Sequence, residues 1–225
     1  MVNIIFLGAP GSGKGTQAAL LSKELNIPAI STGEILRKEL AEESQVGILA
    51  KSYMDSGKLV PDEVVVNIIK KRILEKDCKK GFILDGFPRN LSQGKELDKM
   101  LNDINRKVDI VLDISVPDEV IIKRISGRFS CEKCGEVYNR FFKLPQKENV
   151  CDNCSSGHFT SRNDDKEETV VNRLKVYNQN TKDLVFFYEK KGLIYKVDGL
   201  KNILLLSKEI VRIVSPFLQS TIKVA

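Results

Sequence analysis

Short apolar runs alternate with helical patterns along this chain. The first run, at 2–7, is apolar except for Asn3 and ends in a glycine; the following "GKGTQAALLSKEL" carries Ala18, Leu21 and Leu25 at helical spacing. Further runs lie at 82–84, 108–114 and 193–197, with a shorter one at 27–30, and helical patterns separate them. Runs with no polar alternation read as strands buried on both faces, so the alternation predicts an α/β fold: a parallel sheet flanked by helices. Ser31 and Glu34 form a capping box opening one helix, and Pro61 and Pro117, each followed by two acidic residues, open two more. A long helix runs through "DKEETVVNRLKVYNQNTKDLVFFYEKKG" on an apolar stripe of Val170, Leu174, Tyr177 and Leu184 and stops at Gly192. Between 129 and 165 the periodicity fades and cysteine, asparagine, serine and lysine accumulate, which marks an insertion.

At 225 residues the chain suffices for one full core plus small insertions, burying about 70% or more of its unfolded surface. A formal charge of +6 favours anionic partners, without a basic tail. With no positively charged leader and no window of about 20 apolar residues, a cytoplasmic protein without membrane association is expected. Four of the five cysteines form two C-x2-C pairs, Cys131 with Cys134 and Cys151 with Cys154, separated by 16 residues. That spacing fits a tetrahedral Zn2+ held by four thiolates, and four protein ligands leave no position for water, so the metal is read as structural. Cys78 is expected to pack as a small hydrophobe, and the single histidine, His158, to sit on the surface or pack within the insertion.

The segment "GAPGSGKGTQ" has the G-x4-G-K spacing of a phosphate-binding loop, between an apolar run and a helical pattern. Gly8, Gly11, Gly13 and Gly15 let backbone N–H groups turn inward around phosphate oxygens, Ser12 lies within this loop, and Lys14 reaches the terminal phosphates. Gly15 follows Lys14 where many such loops have a hydroxyl, so Thr16 is the candidate for the magnesium or phosphate contact. "FILDGFPRN" ends an apolar run in Asp85, a carboxylate placed to hold Mg2+ through water; a simple strand-end turn is its alternative.

With these motifs in this order, followed by "IKRISGR", the two cysteine pairs and "RNDDKEETVVNRL", the sequence resembles the adenylate kinases of the nucleoside monophosphate kinase group, in their long-lid form, from residue 2 to about 201. The resemblance implies transfer of a phosphoryl group from MgATP to AMP, giving two ADP, in a monomer that binds neither nucleic acid nor membrane. It implies a P-loop core at 1–30, 60–128 and 166–225, a helical AMP-binding insertion at 31–59, and a zinc-bearing lid at 129–165. By resemblance Thr32 and Arg37 belong to the AMP site, as do Lys58, Leu59 and Val60, then Gly86, Phe87 and Pro88, with Arg89 on the AMP phosphate and Gln93 on the adenine edge. Arg124 and Arg128 belong to the ATP side, Arg162 and Arg173 span the reacting phosphates, and Val137, Tyr138 and Lys201 surround the ATP nucleoside. Phe129 stands where a second arginine is common, and the link "CSSGHFTSR" is slightly longer than usual.

Such a reaction needs no general base, because the attacking phosphate is already an anion; charge neutralisation and positioning do the work. Lys14 and the arginines Arg89, Arg124, Arg128, Arg162 and Arg173 are therefore the expected catalytic set, and no Ser-His-Asp set is needed. Asp164 and Asp165 either orient lid arginines or merely open the long helix. A zinc-containing ATPase acting on nucleic acid is the weaker alternative, because the loop between the cysteine pairs has no recognition-helix pattern and "DGFPR" would have no role. A kinase for CMP or UMP would share the fold, with Thr32 and Gln93 favouring adenine.

Overall fold

The computed structural model describes residues 1–219. The expected core segment 166–225 runs past that limit, and residues 220–225 lie outside the described residues. In chain order the core is built from β1 (Val2–Leu7), α1 (Lys14–Leu25), β2 (Ala29–Ser31), α2 (Thr32–Ala41), α3 (Gln45–Asp55), α4 (Asp62–Arg72), β3 (Gly81–Asp85), α5 (Leu91–Asn102), β4 (Ile110–Ser115) and α6 (Asp118–Ser126). Three short strands follow, β5 (Arg128–Cys131), β6 (Val137–Asn139) and β7 (Phe159–Thr160), and then α7 (Glu167–Lys190), β8 (Ile194–Asp198) and α8 (Ile203–Gln219).

The main sheet is parallel throughout, in the order β2-β3-β1-β4-β8, so the glycine loop leaves the central strand. Alternate residues of β1 serve different cores. Ile5 and Leu7 pack with the α4 and α5 side, whereas Ile4 and Phe6 pack with Leu21 of α1 and with α8. Both faces are covered, which is why the strand could be read as a continuous apolar run.

Two features depart from the local pattern. The strand expected at 27–30 begins at Ala29, because the Ile27 N–H closes the end of α1 on the Ser22 carbonyl at 3.3 Å and its own carbonyl accepts from the Ser22 hydroxyl at 2.6 Å. The helix α8, which no motif announced, lays Leu206, Ile210 and Val214 on the second face at four-residue spacing. No helix among the described residues is long and apolar enough to cross a membrane.

The insertion at 129–165 forms a separate three-stranded antiparallel sheet, in the order β6-β5-β7. Its small core is the aromatic trio Phe129, Tyr138 and Phe159, with centroids 5.5 to 5.7 Å apart, packed on the cysteines. Phe129 therefore fills a packing position here, not a phosphate contact. His158 is exposed and Cys78 is fully buried, as expected.

Candidate active site

One large cleft, about 810 Å³, opens at the carboxyl ends of the central strands. The glycine loop forms its floor. Gly8, Gly11 and Gly13 all take positive φ, and a Cβ on Gly8 would stand 2.5 Å from the Ile114 carbonyl oxygen, so β4 itself demands glycine there. Gly11, Ser12, Gly13, Lys14, Gly15 and Thr16 line the floor, and the Lys14 ammonium donates to the Gly8 and Ala9 carbonyls, each at 2.7 Å. Desolvation at the cleft floor brings Lys14 down to about 8; Asp85 opposes the shift and Arg89 and Arg173 add to it. Asp85 faces the loop, its carboxylate 3.3 Å from where a Cβ on Gly15 would stand. A carboxylate and the Thr16 hydroxyl beside a phosphate cradle are a donor set that suits Mg2+.

The opposite wall carries Thr32, Arg37, Lys58, Leu59, Val60, Gly86, Pro88, Arg89 and Gln93. The Thr32 hydroxyl donates to the Gly86 carbonyl at 2.8 Å, and the Arg89 Nε to the same oxygen at 2.7 Å. Gln93 is nearly fully buried: its Oε1 accepts from the Arg89 N–H, and its Nε2 donates to Asp62, both at 2.7 Å. One amide hydrogen and one lone pair are left to face a ligand. Phe87 is the exception, because its side chain is fully buried in the core and does not line the cleft.

The insertion and α7 supply the roof. Arg128 donates to both carboxylate oxygens of Asp165, which holds its pKa above the ordinary value against the desolvation of the site. Arg173 donates to Asp164 at 2.7 Å, and Arg162 donates to Glu34 on α2 at 2.6 Å. Asp164 and Asp165 are thus arginine holders in the turn ahead of α7. Arg162 is depressed to about 10, first by desolvation and then by Arg128 and Arg37; Arg89, Arg124 and Arg173 are lowered too, again chiefly by desolvation. Their carboxylate partners do not fully offset this desolvation, and phosphates would supply further negative charge.

At the outer end of the cleft lie Val137, Lys201 and Tyr138. Lys201 has its ammonium on Glu209 at 2.7 Å. The Tyr138 residue lines the cleft while its ring is buried in the small core, and its hydroxyl accepts from the Asp152 N–H at 2.7 Å and donates to the Cys151 sulfur at 3.5 Å. Arg124 spans from the loop to the turn after β8, donating to the Ser12 carbonyl at 3.4 Å and to the Gly199 carbonyl at 2.9 Å. Sequence reasoning passed over Glu34, read only as a capping residue, Tyr177, read only as apolar stripe, and Asn202, which carries no motif; all three line the cleft.

The four cysteines come together in two like turns. In each, the N–H four residues after the first cysteine bonds its carbonyl, at 2.9 Å for Gly135 and 2.8 Å for Ser155, and that residue has positive φ. All four sulfurs lie within 4.8 Å of one another, and Cys131–Cys154 and Cys134–Cys151 are 3.5 Å apart. A tetrahedral zinc at about 2.3 Å from each sulfur separates them by about 3.8 Å, so the set fits that ion.

A phosphate loop on the central strand of a parallel sheet, facing a second wall of arginines across one cleft, defines a P-loop nucleotide kinase. The family model described as adenylate kinase matches residues 6–193. Adenylate kinases of Archaeoglobus fulgidus (52% identical, covering 93% of this chain and 96% of the relative), Caldicellulosiruptor bescii (50%, 94% and 98%) and Methanosarcina mazei (48%, 96% and 100%) are similar over nearly their whole lengths. The chain belongs to the adenylate kinase family, whose reaction passes a phosphoryl group between ATP and AMP to give two ADP.

Proposed function

We propose that the chain carries out this transfer by closing its insertion, a lid at 129–165, over a transition state held by Lys14 and the arginines. The observation that carries the reading is the convergence of Lys14, Arg89, Arg128, Arg162 and Arg173 on one cleft, where desolvation and mutual repulsion leave most of them short of negative charge. In it, ATP lies along the glycine loop with its base toward Val137 and Lys201, and AMP lies against 58–60 with its phosphate on Arg89. Arg173 and Arg162 then reach the transferring group between them, and the planar forks spread over its equatorial oxygens. Mg2+ held through water by Asp85 would add positive charge between the phosphates of the donor. Lid closure keeps out water, which is the competing acceptor. Zn2+ in the four-cysteine site would staple a lid with too few apolar residues to order itself. A cytoplasmic monomer completes the reading.

The test is a product analysis with MgATP and, separately, AMP, CMP, UMP and GMP, with all nucleotides resolved by chromatography. ADP formed strongly with AMP alone is the expected result. Transfer to CMP or UMP in its place overturns the acceptor assignment, and hydrolysis of ATP without transfer overturns the mechanism.

A further inference from the structure

The last turn of α3 ends against the first turns of α7, on the face that carries Arg173. Helix ends leave carbonyls without intrahelical partners. Here two of them are taken by side chains of the other helix: the Asp55 carbonyl accepts from the Thr169 hydroxyl at 3.3 Å, and the Ser56 carbonyl accepts from the Asn172 amide at 2.5 Å. Thr169, Asn172 and Arg173 stand at i, i+3 and i+4, so they share one face of α7. Gly57 completes the joint. Its φ is +70°, and a Cβ there would lie 2.9 Å from both the Arg173 Cγ and the Thr169 carbonyl oxygen. The chain then runs directly into Lys58, Leu59 and Val60 on the cleft wall.

From this geometry we infer that Thr169 and Asn172 are positioning residues for the acceptor nucleotide: they dock 55–57 beside Arg173, so the acceptor wall and the phosphate-spanning arginine are assembled in one step. The inference rests on the acceptor site proposed above. Neither side chain reaches the ligand; each acts through the backbone of the segment that does. The phosphate loop and the nucleoside end near Lys201 lie on other elements, so donor binding apart from the Arg173 contact does not depend on the joint.

The experiment compares initial-rate kinetics of the Thr169→Val/Asn172→Ala double variant with the parent enzyme and with Thr169→Ser, which keeps the hydroxyl. Loss of two side-chain-to-carbonyl bonds is expected to raise the KM for AMP about 5- to 30-fold and to lower kcat with it, leaving the KM for ATP within about twofold. Thr169→Ser is expected to stay near the parent. An unchanged KM for AMP, or parallel rises in both KM values, overturns the inference. Should the double variant fail to fold, amide hydrogen exchange on the parent replaces it: AMP alone is expected to slow exchange across 53–60 and the first turns of α7 together, and protection of one segment without the other overturns it. An inactive parent would instead refute the proposed function, which the product analysis detects separately.

Discussion

The carboxylate of Glu34 accepts a hydrogen bond from the guanidinium of Arg162, 128 residues away in the chain, at 2.6 Å. The same oxygen accepts from Arg37 at 2.7 Å, so one acid holds Arg37 of α2 and Arg162 of the insertion together. Burial pushes the Glu34 carboxyl up, but Arg37 and Arg162 more than offset this and leave it below its ordinary value. With a folded pKa below the unfolded one, the tie is present above about pH 4.5 and is lost as pH falls through the lowered value. The pair is too exposed to matter for stability, since such pairs contribute about 0 to 1 kcal/mol. Glu34→Ala is therefore expected to leave the melting temperature nearly unchanged and to lower kcat/KM for AMP several-fold at neutral pH. Equal kinetics in steady-state assays would refute the role.

Desolvation brings Lys14 down to about 8, and nucleotide phosphates in the proposed donor site are expected to raise it toward its ordinary 10.5. The sign follows: between those values the ligand-free protein has lost the proton that the complex keeps, so binding takes protons up. Calorimetric titration with ADP at pH 9, in two buffers of different ionisation enthalpy, is expected to show uptake approaching one proton per site and much less at pH 7. Equal uptake at both values would contradict the assignment.

In the proposed mechanism, truncation of Arg89 or Arg173 to alanine would remove a fork from the transferring or accepting phosphate. By comparison with other transition-state arginines, turnover is expected to fall by about 10^3 or more while the far-ultraviolet circular dichroism stays unchanged. Near-full activity of either folded variant would remove that arginine from the mechanism.

Metal removal is expected to act on the lid before the core. The insertion's buried contacts are chiefly three aromatic rings and the cysteines, so zinc bound in the proposed four-cysteine site would supply much of its ordering energy. Chelation is expected to release one zinc per chain and to lower the melting temperature by several degrees; an unchanged melting curve would contradict this.

Gly47→Ala probes the joint between α2 and α3. A Cβ there would lie 2.3 Å from the backbone carbon and oxygen of Glu39. Alanine gains about 1 kcal/mol in helix propensity, but forcing backbones apart costs about 1 to 3 kcal/mol, so a net loss is expected, read as a fall of about 2 to 6 °C in melting temperature. A rise would show that the helices separate freely.

Much of the molecule is written locally. The strands are continuous apolar runs because each is buried on both faces, the phosphate loop is a run of glycines that backbone geometry demands, and two cysteine pairs of fixed spacing bring four sulfurs into a group able to hold a metal ion. Each of these signals lies within a few residues, so the order of residues alone determined the parallel sheet, the loop and the four grouped sulfurs. Other assignments required the three-dimensional arrangement. Phe87 belongs to the motif "DGFPR", yet its ring turns into the core; Tyr138 adjoins Val137 on the cleft wall, yet its hydroxyl serves Cys151 and Asp152. Glu34 looks like a helix cap until the insertion brings Arg162 to it, and Asn172 looks like a surface polar residue until α3 ends beneath it. Contacts between residues more than a hundred positions apart depend on how whole elements pack, and no local spacing encodes the direction from which a distant side chain arrives.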